Sequence, residues 1–131
     1  MVAMQGKYAG CRILVVDDDP MNCELVRLRL ESPGFIIDSA HDGGVAVAKV
    51  RAHRYDLIMM DIQMPVMDGL EATRLVRQLP NGATVAILAS TASQGQEQRQ
   101  NCMDAGMTGF ITKPFTGAAL LDAVIRWVNP P

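Results

Sequence analysis

Cys11-Arg12-Ile13-Leu14-Val15-Val16-Asp17-Asp18-Asp19-Pro20 runs from an apolar segment into three consecutive acids and a proline. Cys11 to Val16 has the length and aliphatic content of a strand buried on both faces. Asp19-Pro20 then reads as a helix start, an N-cap acid followed by proline at the first helical position. Leu25 and Leu28 carry that helix to about Glu31, where Ser32-Pro33-Gly34 stops it.

The same alternation repeats along the chain. Phe35 to Ala40 reads as a second strand, and Asp42-Gly43 turns into a helix bearing Val45, Ala46, Ala48, Lys49 and Val50. Tyr55 to Met60 reads as the third strand, followed by a loop from Asp61 to Gly69 with an Asp68-Gly69 turn. Leu70 to Leu79 is helical and is closed by Pro80-Asn81-Gly82. Thr84 to Ala89 forms a fourth strand and Gly109 to Thr112 a fifth. Between them, Gln94 to Ala105 is a polar helix with a weak apolar stripe and Gly106 as its C-cap. A last helix spans Thr116 to Val128. Strands that alternate with crossover helices predict an α/β fold, a parallel sheet with helices on both faces. Periodicity leaves the strand order open.

The 131 residues predict one domain over 11–128, with Met1 to Gly10 as a flexible leader and 129–131 as a tail. A formal charge of −2 argues against nucleic-acid or membrane binding, which calls for a basic face. No run approaches the ~18 apolar residues that span a bilayer. Cys11, Cys23 and Cys102 are far apart in sequence and show neither zinc nor disulfide spacing. They read as buried, inert thiols in a reducing, cytoplasmic compartment. His41 and His53 read as surface groups.

The strand ends carry the chemistry. In an open parallel sheet, ligands bind outside the carboxyl ends of the strands. Asp17 and Asp18 end the first strand, Asp61 the third, Thr91 the fourth and Lys113 the fifth. An isolated Asp-Asp pair after a strand is most simply a helix cap. A third carboxylate on another strand end changes the reading, because three clustered carboxylates stay ionised only beside a cation. Hard oxygen ligands of this kind suit Mg²⁺. Lys113 alone would be a solvated surface group, but among anions it is a mobile point charge for a phosphoryl oxygen. It precedes Pro114, so the Lys113-Pro114 bond is a candidate for the cis isomer. Thr91 could be a cap or a phosphoryl ligand, with Ser90 as its rival on the opposite face of the strand. A carboxylate nucleophile with these neighbours could form an aspartyl phosphate.

These residues resemble the receiver domains of two-component response regulators. The resemblance spans Cys11 to about Val128. It rests on Ile13 to Asp19, Asp61 to Gly69, Ala89-Ser90-Thr91-Ala92 and Lys113-Pro114-Phe115. Each motif is weak alone, and four in order at these separations are specific. The stretch Met60 to Thr73 looks most like receivers attached to hybrid sensor kinases. The resemblance implies a doubly wound, flavodoxin-like five-stranded sheet of order 2-1-3-4-5. It implies that Asp61 is the phosphoacceptor, taking its phosphoryl group from a histidine kinase or histidine phosphotransfer protein. It implies Mg²⁺ or Mn²⁺ held by Asp18, Asp61 and the Gln63 backbone carbonyl, with Asp17 acting through a bound water. Thr91 and Lys113 would bind the phosphoryl oxygens, and Phe110 would be the aromatic that rotates when Thr91 moves. Gln63 and Ser93 would tune phosphoryl lifetime. The resemblance also implies a switch rather than a turnover enzyme. A downstream effector, an output domain or a second copy would dock on the face from Gln94 to Val128.

Three rival readings are weaker. A haloacid-dehalogenase-type hydrolase would need an acid where Gln63 stands, and a flavodoxin-like cofactor binder would need a phosphate-cradling loop where Asp17-Asp18-Asp19 stand. A degenerate receiver acting only as a binding module is disfavoured because all five site positions hold competent residues.

Overall fold

The computed structural model describes residues 10–31, 34–64, 67–92, 95–113 and 115–128. Strand β1 (Arg12–Val16) leads to helix α1 (Pro20–Leu30), β2 (Ile36–Ala40) to α2 (Gly43–Ala52), and β3 (Leu57–Asp61) to α3 (Gly69–Arg77). A 3₁₀ turn over Pro80–Gly82 precedes β4 (Ala86–Thr91), which leads to α4 (Gln96–Ala105). Strand β5 (Gly109–Thr112) leads to α5 (Gly117–Trp127). All strands pair in parallel, in the order β2-β1-β3-β4-β5.

Four helices start within a residue of where the sequence predicts, while α4, predicted from Gln94, runs from Gln96 after a Gly95 cap. The carboxylates of Asp19, Asp42 and Asp68 accept the N–H groups of Met21, Val45 and Glu71, and the Thr116 hydroxyl accepts that of Ala119. Each satisfies a donor that the first helical turn leaves without an intrahelical partner. Two strands run further than predicted: Asp61 belongs to β3, and Ser90 and Thr91 belong to β4. Backbone pairing decides this, since Asp61 is in register with Ser90, and Thr91 with Thr112.

The pleat sorts the core into two clusters. Leu14, Val16, Ile58, Met60, Ile87 and Ala89 face the side where α2, α3 and α4 pack. Ile13, Val15, Leu57, Met59 and Leu88 face the side of α1 and α5. Strands buried on both sides carry no polar alternation, which is why they read as continuous apolar runs. Four methionines, Met59, Met60, Met64 and Met107, fill this aliphatic core. The three cysteines are buried and free of disulfides.

Candidate functional site

Strands β1 and β3 are neighbours at the centre of the sheet, so their carboxyl ends converge. One carboxylate oxygen from each of Asp17, Asp18 and Asp61 lies within 4.8 Å of the others. Asp17 and Asp61 are each 5% exposed, whereas Asp18 is open to solvent. The cluster is therefore built into the sheet but reachable from one side.

Lys113 closes the site from β5. Its backbone N–H donates to the Thr91 carbonyl at 2.8 Å, which carries the strand pairing past Thr112. Its ammonium donates to Asp17 Oδ2 at 3.1 Å and lies 3.4 Å from Asp61 Oδ2. The other oxygens are held by the backbone. Asp17 Oδ1 accepts the Asp19 N–H at 2.9 Å, and Asp61 Oδ1 accepts the Gln63 N–H at 3.0 Å. Helix α3 also presses against the end of β3. A Cβ at Gly69 would stand 2.3 Å from the Asp61 carbonyl oxygen, so only glycine permits this approach.

The electrostatics follow from burial and charge balance. Burial raises the Asp61 carboxyl above its ordinary range, and the Gln63 N–H and the Lys113 charge only partly offset it. Burial alone would lower the Lys113 ammonium, but its hydrogen bond to Asp17 and the charges of Asp61 and Asp17 outweigh that, and the net shift is upward. Three carboxylates against one ammonium leave an excess of negative charge with hard oxygen donors aimed at one point. That donor set fits Mg²⁺ better than a soft or thiolate-seeking ion. Cys23, whose thiol donates to the Asp17 carbonyl at 3.6 Å, does not join it: burial pushes its thiol up to about 11.

Thr91 and Ser90 divide between the two faces of β4. Leu88 packs on the α1–α5 side and Ala89 on the α2–α4 side, and the alternation continues to Ser90 and Thr91 respectively. Thr91 is buried on the side of Phe110, whose half-buried ring packs against the same cluster. The Arg99 guanidinium of α4 covers that ring, 5.2 Å from its centroid.

The structure thus brings Asp17, Asp18, Asp61 and Lys113 together, with Gln63 joining through its N–H. Pro114 and Ser93 lie outside the described residues, as do Met1 to Ala9 and 129–131. His41 and His53 are exposed and take no part. Sequence reading missed Asn22, whose side-chain amide donates to Asp17 Oδ2 at 3.3 Å. A polar residue in the first turn of a helix that begins at the acidic cluster was the available signal.

A doubly wound parallel sheet with an acid triad and a lysine at its carboxyl edge defines a phosphoacceptor class of signalling domain. Residues 13–125 match the response regulator receiver domain, and the chain belongs to that family. The sheet order and the two-component role that the sequence implied are both borne out. The chain is 35% identical to the sensor protein GacS of Pseudomonas syringae pv. syringae over 121 residues, which cover 90% of this chain and 13% of GacS. It is 37% identical to hybrid signal transduction histidine kinase B of Dictyostelium discoideum over 126 residues, 88% of this chain and 6% of that kinase. It therefore spans only a small part of these relatives. Among solved structures, the receiver domain of the sensor histidine kinase PA1611 from Pseudomonas aeruginosa PAO1 has 42% identity and a TM-score of 0.83, covering 91% of this chain and 98% of that one. That structure has a magnesium ion coordinated in its active-site cleft. The Vibrio cholerae chemotaxis protein CheY4 has 33% identity and a TM-score of 0.88, covering 92% and 100%.

Proposed function

We propose that this domain accepts a phosphoryl group from a phosphohistidine onto Asp61. The observation that carries the reading is a buried, raised-pKa carboxylate that shares one ammonium with a second buried carboxylate. An Asp61 oxygen attacks phosphorus, the phosphorus–nitrogen bond breaks, and the imidazole leaves with a proton from solvent. Phosphoryl transfer needs mainly positioning and neutralisation of the equatorial oxygens. Mg²⁺, or Mn²⁺, would be held by Asp18, Asp61 and the Gln63 carbonyl, with Asp17 through a water, and would supply most of that neutralisation. Lys113 turns from Asp17 to a phosphoryl oxygen. Thr91 crosses from the Phe110 side to bind another, and the Phe110 ring follows into the vacated space. The domain is a switch that assists its own phosphorylation and dephosphorylation rather than a turnover enzyme.

The donor protein, a histidine kinase or histidine phosphotransfer protein, docks beside the site. A groove of about 380 Å³ lined by Asn22, Leu25, Ala92, Lys113 and Phe115 adjoins the acceptor. Met21, Leu25 and Leu28 of α1 are 70%, 49% and 61% exposed, an apolar stripe at helical spacing from which Leu25 also lines the groove. An effector, output domain or second copy reads the other surface, the face of residues 94–128. Residues 11–128 act as one unit. Three free thiols suit a reducing compartment, and we place the protein in the cytoplasm, with no direct nucleic-acid or membrane contact. No helix among the described residues is long and apolar enough to cross a membrane.

Incubation with a small phosphodonor and Mg²⁺ should add one labile phosphoryl group, absent in Asp61→Asn. Label that persists in Asp61→Asn rejects the assignment.

A further inference from the structure

We infer that Asn22 is a positioning residue that keeps the Asp17 carboxylate in place when Lys113 leaves it for the phosphoryl group. The inference rests on the phosphoacceptor reading and adds a residue to it.

The Asp17 carboxylate accepts three hydrogen bonds among the described residues. The Asp19 N–H holds Oδ1, while Lys113 and Asn22 share Oδ2 at 3.1 and 3.3 Å. The two donors on Oδ2 differ in kind. Lys113 ends a flexible stem and carries a full charge, so an arriving dianionic phosphoryl group attracts it strongly. Asn22 is a neutral amide on the first turn of α1, where the Asp19 cap and Pro20 fix the backbone. An anion gains little by pulling a neutral amide away, and the amide cannot follow far.

Phosphorylation as proposed removes the stronger donor from a buried carboxylate that is 5% exposed. Without a replacement, Oδ2 would lose its side-chain partners just as nearby negative charge increases. A buried acceptor stripped of partners costs far more than one hydrogen bond contributes, and a carboxylate free to rotate would point its lone pairs away from the acid cluster. Asn22 already sits on that oxygen in the unphosphorylated state, so the handover needs no rearrangement of α1. Its side chain also lines the groove beside Lys113, on the same side of the site as the proposed donor.

The test uses Asn22→Leu, which keeps the side-chain size and removes the donor, and Asn22→Ala as a second variant free of new bulk. Both are placed in the intact domain and in Lys113→Met. Mg²⁺ dissociation constants come from calorimetry without phosphodonor, and phosphorylation rates with acetyl phosphate are followed against Mg²⁺ concentration. The loss of one hydrogen bond that orients a carboxylate of the metal cluster predicts about tenfold to a hundredfold weaker Mg²⁺ binding. The Mg²⁺ concentration for half-maximal rate rises in step, and Asn22→Gln recovers part of both. In Lys113→Met, where Asn22 is the remaining side-chain donor, the same substitution has a larger effect. Unchanged Mg²⁺ binding for both variants in both backgrounds overturns the inference, and so does an effect of equal size in the two backgrounds. Label surviving in Asp61→Asn would instead overturn the phosphoacceptor reading, and the Mg²⁺ measurements do not depend on it.

Discussion

Helix α1 starts on the Asp19 cap and Pro20, leaves the acidic cluster, and turns Met21, Leu25 and Leu28 toward solvent. Helix α4, on the opposite face of the sheet, starts on Gly95 with no side-chain cap among the described residues, and its first turns are polar and exposed. Its buried residues, Cys102 and Ala105, lie at the far end. That end is also clamped. Arg77 of α3 donates to the carbonyls of Gly106, Gly82 and Val85 at 2.6–2.9 Å, and Gly106 caps the helix at φ 110°. On the proposed function, the contrast separates receiving from reporting. On that reading, the side that holds the reacting carboxylates is tied down at the site by the Asp19 cap and the Asn22–Asp17 bond. The side that would register their change is anchored away from the site and exposed near it.

Four predictions test that division, beginning with the largest effect. Replacing Leu25 and Leu28 together by aspartate should slow transfer from a phosphorylated donor protein about a hundredfold, the loss of two apolar anchors at an interface. Acetyl phosphate, which needs no docking surface, should phosphorylate the variant at the parental rate. Equal loss with both donors would remove α1 from the receiving side and break the comparison.

Arg77→Met should destabilise the domain by about 2 kcal/mol, since the carbonyls of Gly82, Val85 and Gly106 lose a charged donor. Burial lowers the Arg77 pKa, the mark of a guanidinium held by neutral partners only. Hydrogen exchange should quicken first at residues 102–107. If it quickens evenly along α4, the clamp is not the anchor.

Asp61→Asn should stabilise the metal-free domain at neutral pH and raise its Tm. The sign follows from burial. A carboxyl whose folded pKa is raised contributes stability while protonated, below the unfolded value, and loses it as pH rises through the folded value. The gap between the two proteins should therefore open from acid toward neutral pH and close below pH ~3.9, where both side chains are uncharged. A gap independent of pH would mean that the site stores no such penalty.

Gly95→Asp has the smallest expected effect. A cap at the first turn of α4 should add a few tenths of a kcal/mol by thermal melting. It should also lower output more than that gain suggests if the exposed end is what moves. A stabilised variant with unaltered partner response would sharpen the contrast by confining motion to β4 and β5.

Much of this arrangement was legible because local chemistry and tertiary role coincide. Asp19, Asp42, Asp68 and Thr116 cap helices by contacts within three residues, so their roles need no tertiary information. The strand ends were displaced by one or two residues at Asp61 and Thr91, because pairing across the sheet, rather than composition, sets where a strand stops. Asn22 and Arg77 were not legible. One acts across five residues on a carboxylate shared with Lys113, and the other reaches Gly106 across 29 residues.

The order of residues determined the α/β alternation, the caps, and which side chains end each strand, since these depend on periods of 2 and 3.6 and on neighbours close in sequence. Only the folded sheet decided that Asp17 and Asp61 share one ammonium, and that Thr91 begins on the Phe110 side. It also left α1, not α4, with the exposed apolar stripe. Those facts depend on strand adjacency and on what covers each face, and a linear pattern specifies neither.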